Sequence, residues 1–206
     1  TRKLDQAVSA VILDIIQRFA KTAALAKEAG FTGVQIHSAH GYLGSQFLSP
    51  VTNQRTDQWG GSLENRARFL MMTIDAVRAA VGPSFPVGVK LNSADFQKGG
   101  FTLEECIQVA QWIGEKGIDL LEISGGTYER VAFLGEAEGD TNAPENAVEK
   151  RESTLKREAY FLQYAQAISE SAKIPVMITG GFRSASVMQS AIESGQCDVI
   201  GLARPF

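Results

Sequence analysis

The sequence predicts an α/β fold in which parallel strands alternate with covering helices. Three observations predict it. Apolar residues recur at three- and four-residue steps in long segments, and each such segment gives way to a short, continuous apolar run. Glycines stand where several of the helical segments stop. The residues with the most chemistry in them gather at the ends of the short runs, where parallel α/β architectures build their sites. With 206 residues, 44% of them hydrophobic and 21% charged, the chain can bury one substantial core and does not have the composition of a disordered segment.

The elements follow in order. Val8, Val11, Ile15, Phe19, Ala23 and Ala26 mark one face of a helix from about Val8 to Ala29, ended by Gly30. Val34-Gln35-Ile36 is a strand. Ser62 is placed to cap a helix carrying Phe69, Leu70, Ile74 and Val77, which Gly82-Pro83 stops. Val87 to Leu91 is the next strand. Thr102 and Glu105 have the spacing of a capping box for a helix holding Ile107, Ala110, Trp112 and Ile113. Leu120 to Ile123 is a strand, with Ser124-Gly125-Gly126 as the turn after it. From Gly125 to about Thr154 the pattern fades into a long loop, a lid over a site or a plain surface excursion. Its carboxylates, Glu136, Glu138, Asp140, Glu145 and Glu149, suit a solvated surface better than a metal site. Ala159, Leu162, Ala165 and Ile168 then mark a helix, Val176 to Thr179 a strand, Ser184 to Ile192 a short helix, and Asp198 to Leu202 a last strand.

Two architectures accommodate this order, a doubly wound open sheet and a (β/α)8 barrel. A closed barrel needs eight strands and about five are visible, so a barrel here is a piece of one.

Charge and composition exclude several function classes. Twenty basic against 23 acidic residues give a net charge of −3, and no basic tract is present, so no nucleic-acid partner is expected. No apolar stretch approaches the roughly 18–20 residues needed to span a membrane. Cys106 and Cys197 are too few for a disulfide framework or a cysteine metal cage, and the expected location is the reducing cytoplasm.

Three groups of residues carry chemistry. The two histidines stand together in His37-Ser38-Ala39-His40, with Tyr42 close behind, just past the expected end of the first strand. Metal binding lacks a third ligand nearby, and two hydrogen-bonded structural histidines are the plainer alternative. The functional reading is a pair of imidazoles gripping an oxygen, with a phenol, ordinarily of pKa about 10, to supply a proton. Lys90 is the second. Alternation in Val87-Gly88-Val89-Lys90-Leu91-Asn92 puts it opposite the apolar face of a buried strand, so it needs either a carboxylate partner or an anionic ligand. The third is Thr179-Gly180-Gly181-Phe182-Arg183-Ser184 followed by Ala203-Arg204 after the last strand. Paired glycines before a helix start and a forked guanidinium at the next strand end make a phosphate site of the kind found after strands seven and eight of barrels. That combination favours the barrel.

These motifs carry a resemblance. The block Ala29-Gly30-Phe31-Thr32-Gly33-Val34-Gln35-Ile36-His37-Ser38-Ala39-His40-Gly41-Tyr42-Leu43 resembles the signature of the flavin-dependent Old Yellow Enzyme family of NAD(P)H:flavin oxidoreductases. Gln46-Phe47-Leu48-Ser49-Pro50, Asn53-Gln54-Arg55-Thr56-Asp57 and Gly60-Gly61-Ser62-Leu63-Glu64-Asn65-Arg66 continue it. The similarity runs from the helix before the family's fourth strand to the end of its eighth, and implies that residues 1–206 are a partial FMN-binding TIM-barrel domain. It also implies FMN and NAD(P)H as cofactors and a small-molecule substrate, an α,β-unsaturated carbonyl or nitro compound. Hydride would come from the flavin and a proton from Tyr42. His37 and His40 would hold the substrate oxygen, and Lys90, where the family usually has an arginine, would face the flavin. Gly180, Gly181, Phe182, Ala203 and Arg204 would surround the FMN phosphate. The family varies in oligomeric state, which leaves a homo-oligomer open. The competing functions are a flavin-free barrel lyase or isomerase that binds a phosphorylated substrate, and a non-catalytic barrel fragment.

Overall fold

The computed structural model describes residues 2–124, 162–180, 182 and 184–202. Its elements are α1 (Arg2–Glu28), β1 (Val34–Ser38), α2 (Leu43–Leu48), α3 (Leu63–Val81), β2 (Val87–Asn92), α4 (Leu103–Glu115), β3 (Leu120–Ser124), α5 (Leu162–Ala172), β4 (Val176–Thr179), α6 (Ala185–Glu193) and β5 (Val199–Gly201). The long loop expected after Gly125, with its carboxylates, and Ala159 lie outside the described residues.

The strands form one parallel sheet in the order β1-β2-β3-β4-β5. A doubly wound sheet reverses its strand order at a switch point, and this sheet does not. Right-handed crossovers in unbroken sequence keep every covering helix on the same side, which is the winding of a barrel wall. Among the described residues there are therefore five parallel strands, part of a (β/α)8 barrel.

Period-two alternation divides the sheet into two faces. Val87, Val89, Leu91, Leu121, Ile123, Val176 and Ile178 lie on the helix side, each at 0% exposure. They pack with Leu70, Ile74 and Val77 of α3, Val109, Ala110 and Ile113 of α4, and Ala165 and Ile168 of α5. The opposite face carries Gln35, His37, Lys90, Asn92, Glu122 and Ser124, in register across β1, β2 and β3. An apolar outside and a polar inside place the chemistry where the barrel axis runs.

Local signals set the element ends. The Ser62 hydroxyl accepts from the Asn65 amide at the start of α3, and both halves of the Thr102–Glu105 capping box form at the start of α4. Two aspartates satisfy the first amide of the preceding strand, a group the sheet leaves without a ladder partner. Asp119 accepts from Val87 N–H and Asp198 from Val176 N–H, both at 2.8 Å. β5 covers Val199–Gly201 and is shorter than the Asp198–Leu202 run expected.

Other expectations shift. The buried stripe of α1 is Ile12, Ile16, Ala20 and Ala23, whereas Val11 is 59% exposed. The segment is apolar on adjoining stripes, and its packing on Trp59 and Phe69 selects among them. β1 runs on to Ser38, so His37 lies within the strand and not beyond it. β3 runs on to Ser124, which pairs with Asn92 and is buried, so the expected turn starts no earlier than the next residue. The short helix α2 has too few residues to show a period. A Cβ at Gly44 would sit 2.6 Å from Ser38 Oγ, so only glycine lets this helix seat against the end of β1.

Candidate active site

His37, His40, Tyr42 and Lys90 come together at one end of the sheet. His37 and Lys90 are register partners on β1 and β2. The chain then turns through His40 at φ 62° and Gly41 at φ 79°. This left-handed backbone is unfavourable for a residue with a Cβ. The Asn92 carboxamide holds it there, its Oδ1 accepting the His40 amide at 3.0 Å. The turn brings the His40 ring 5.4 Å from the His37 ring, edge to face, and the Tyr42 ring 5.0 Å from His37. Tyr42 is the N-cap residue of α2 and is 48% exposed, so its phenol borders open space.

His40 Nε2 lies 2.7 Å from Ser124 Oγ, at the end of β3. Burial lowers the His40 pKa to about 4, helped by the charge of Lys90 and by His37. Burial also lowers His37, again with Lys90 in the same sense and Glu122 opposing. Both imidazoles are therefore neutral near pH 7, each with one N–H to donate and one nitrogen to accept. His37 Nδ1 is buried and has no hydrogen-bond partner among the described residues.

The depressed His40 pKa has a consequence for stability. Between about 6.5 and about 4 the unfolded chain binds more protons than the folded one, so stability falls as pH drops through that window. The loss is complete below about 4. Solvent reaches part of the ring, which limits the effect to roughly 1–2 kcal/mol. An NMR titration of the His40 ring is expected to show a midpoint near 4. A midpoint at the ordinary value would mean that the ring is not buried as described.

Lys90 has a carboxylate partner. Its Nζ lies 2.7 Å from Glu122 Oε1, and Gln35 Nε2 donates to Glu122 Oε2, also at 2.7 Å. Glu122 is 4% exposed. Burial pushes its carboxyl up, but hydrogen bonds led by that from Lys90 outweigh burial and hold it below the usual carboxylate range. Of the two sequence readings for Lys90, the ion pair is thus present, and 19% of the lysine side chain stays exposed.

At the phosphate end, Gly180 follows β4 at φ 107°, a conformation open to glycine. Because all five strands are parallel, it shares the rim that holds His37. The residue Phe182 is 3% exposed and part of the helix-side core, so it offers a ligand main chain rather than its ring. Gly181, Ala203 and Arg204 lie outside the described residues, as does Arg183. Next to this rim, a Cβ at Gly201 would fall 2.0 Å from Thr179 Oγ1, so the glycine lets β5 lie against that hydroxyl.

Sequence reasoning did not single out Glu122, Ser124, Asn92 or Gln35. A signal was present in β3, where Leu120-Leu121-Glu122-Ile123-Ser124 sets a carboxylate and a hydroxyl on one side of a strand buried on the other. Burial also pushes up the thiols of Cys106 and Cys197, both free and buried, as expected of packing residues. Among the described residues no helix is long and apolar enough to cross a membrane.

Comparison with known proteins agrees with this geometry. Residues 5–206 match the model of the NADH:flavin oxidoreductase / NADH oxidase family. The chain is 43% identical over 194 residues to the NADH-dependent flavin oxidoreductase iccE of Talaromyces variabilis, covering 93% of this chain and 44% of that protein. A 2-naphthoyl-CoA reductase structure superposes with a TM-score of 0.80 at 34% identity, over 94% of this chain and 27% of that one. The Old Yellow Enzyme homologue of Zymomonas mobilis superposes at 0.69 with 27% identity, over 95% of this chain and 48% of that one. The chain spans less than half the length of each of these three relatives. With nearly every residue inside the match, and with five barrel strands and a paired-histidine rim, the chain belongs to the NADH:flavin oxidoreductase / NADH oxidase family.

Proposed function

We propose that this chain forms the flavin- and substrate-facing wall of an FMN-dependent oxidoreductase. The enzyme uses NAD(P)H to reduce the activated C=C bond of α,β-unsaturated carbonyl or nitro compounds. The observation that carries the reading is the cluster of His37, His40 and Tyr42 beside Lys90, with both imidazoles held neutral.

The residues fit the cofactor. The polar face has a buried imidazole nitrogen, His37 Nδ1, with no partner among the described residues, and an ammonium on the neighbouring strand. Lys90 would face the flavin ring, and the main chain at Gly180 and Phe182 would approach its phosphate. The sequence assigns Gly181, Ala203 and Arg204 to the same phosphate. FMN, when bound, would supply the hydride chemistry that amino-acid side chains lack.

The chain's own residues have separate tasks. Neutral His37 and His40 hold a carbonyl or nitro oxygen, and N–H donors fixed in place stabilise negative charge developing on it. Asn92 fixes the backbone turn that aims His40, and Ser124 fixes its ring. Tyr42, at the open edge of the cluster, gives its phenolic proton to the substrate carbon. The two cysteines remain thiols, consistent with a cytoplasmic enzyme.

A visible absorption spectrum of the full-length protein, taken before and after NAD(P)H, tests the reading. Flavin bands that bleach on addition are expected. Replacing both His37 and His40 by Ala is expected to weaken binding of phenol-type ligands at least tenfold, about 1.4 kcal/mol. Unchanged phenol affinity would remove the oxygen grip from the account.

A further inference from the structure

We infer that Glu122 is a positioning residue that governs how much positive charge Lys90 presents to the flavin. The inference rests on the FMN reading above and concerns a residue outside that reading. Glu122 sits in the middle of β3, on the polar face, as the register partner of Lys90. Both its oxygens are engaged, one by the Lys90 ammonium and one by the Gln35 amide, each at 2.7 Å. The Gln35 contact matters because it stops the carboxylate from swinging away from Lys90. Gln35, the register partner of Gly88, reaches across that glycine to the carboxylate, so side chains of β1, β2 and β3 all meet at Glu122.

A carboxylate at 4% exposure needs compensation for its lost hydration, and Lys90 supplies it. The compensation runs both ways. A lone ammonium beside a flavin favours the form that carries more negative charge, which is the reduced one. Paired at 2.7 Å, ammonium and carboxylate nearly cancel at the distance of a ligand on the open face. The pair also pins the flexible lysine stem in one conformation, so the residual field has a fixed direction. Lys90 keeps 19% of its side chain exposed against 5% for Glu122, so the lysine is the more accessible member of the pair.

The test is the reduction potential of bound FMN in the full-length protein, measured by equilibration with a reference dye. Glu122→Gln keeps the volume and removes the charge. It is expected to raise the ratio of reduced to oxidised flavin at a fixed potential about tenfold, a positive shift of about 30 mV for a two-electron couple. Lys90→Met is expected to shift it the other way by a similar factor. The double variant should return to within about threefold of the parent ratio, because both charges are gone. Gln35→Leu, which leaves both charges in place, provides a second route should Glu122→Gln not fold, with a smaller shift of the same sign as Glu122→Gln expected. A purely structural role for Glu122 would lower thermal stability in these variants without moving the potential in opposite directions. FMN retained with the potential unmoved in Glu122→Gln, or unmoved in Gln35→Leu where that variant is the one measured, overturns the inference and leaves the FMN reading standing. A parent protein that binds no FMN overturns both.

Discussion

Tyr42→Phe in the full-length protein is expected to slow reduction of the alkene substrate by about 10²–10⁴-fold, the range for loss of a positioned general acid, while flavin reduction by NAD(P)H keeps its rate. The substitution isolates the hydroxyl. Phe preserves the ring that packs 5.0 Å from His37, and the Tyr42 side chain makes no capping hydrogen bond to α2 that would be lost. At 48% exposure the phenol can meet a substrate and recover its proton from solvent. Stopped-flow measurement of the two half-reactions separates the effects. Equal losses in both halves would show that Tyr42 shapes the site without donating a proton.

Arg66→Met is expected to destabilise the protein by about 3 kcal/mol, as breaking a buried ion pair from one side typically does. Arg66 is 4% exposed on the first turn of α3. Its guanidinium donates to the carbonyls of Leu48 and Gly61 and to the Glu105 carboxylate, so it ties the end of α2, the loop before α3 and the start of α4 together. The substitution leaves two carbonyls and a carboxylate without that donor. Beside it, Asn53 donates to Phe47 and Trp59 carbonyls at 2.7 Å, and Phe47 stacks on Phe69 at 4.4 Å. The segment is therefore held by polar bonds on one side and rings on the other. Urea unfolding measures the cost, and the companion change Glu105→Gln should recover part of it. A loss below about 0.5 kcal/mol, the order of a surface substitution, would mean the segment is held by the rings alone. Because Tyr42 caps the start of α2 and Leu48 ends it, loss of Arg66 should also blur the position of the phenol.

Much of this was legible because the governing contacts are local. Ser62 meets Asn65, and Thr102 meets Glu105, across three residues, so spacing alone announces the caps. Strand alternation told which way Lys90 faces, since a period of two needs no partner to be seen. Tyr42 follows His37 by only five residues, and the rings that the turn brings together are those singled out as a motif. The weak points were of another kind. α1 offers adjoining apolar stripes, and nothing within the helix tells which one Trp59 and Phe69 will cover. The end of β3 depended on Ser124 finding Asn92 on the neighbouring strand.

Reading along the chain was enough for the alternation of helices and parallel strands, for the paired-histidine motif with its tyrosine, and for the family to which they point. Which strands become neighbours, and with that which partners the buried polar groups find, emerged only on folding. Lys90 gained Glu122, Glu122 gained Gln35, and His40 gained Ser124 and Asn92. The physical reason is that a ladder register is a property of two strands at once: each pairing is chosen by the core packed behind it, and no pattern along a single strand records the outcome.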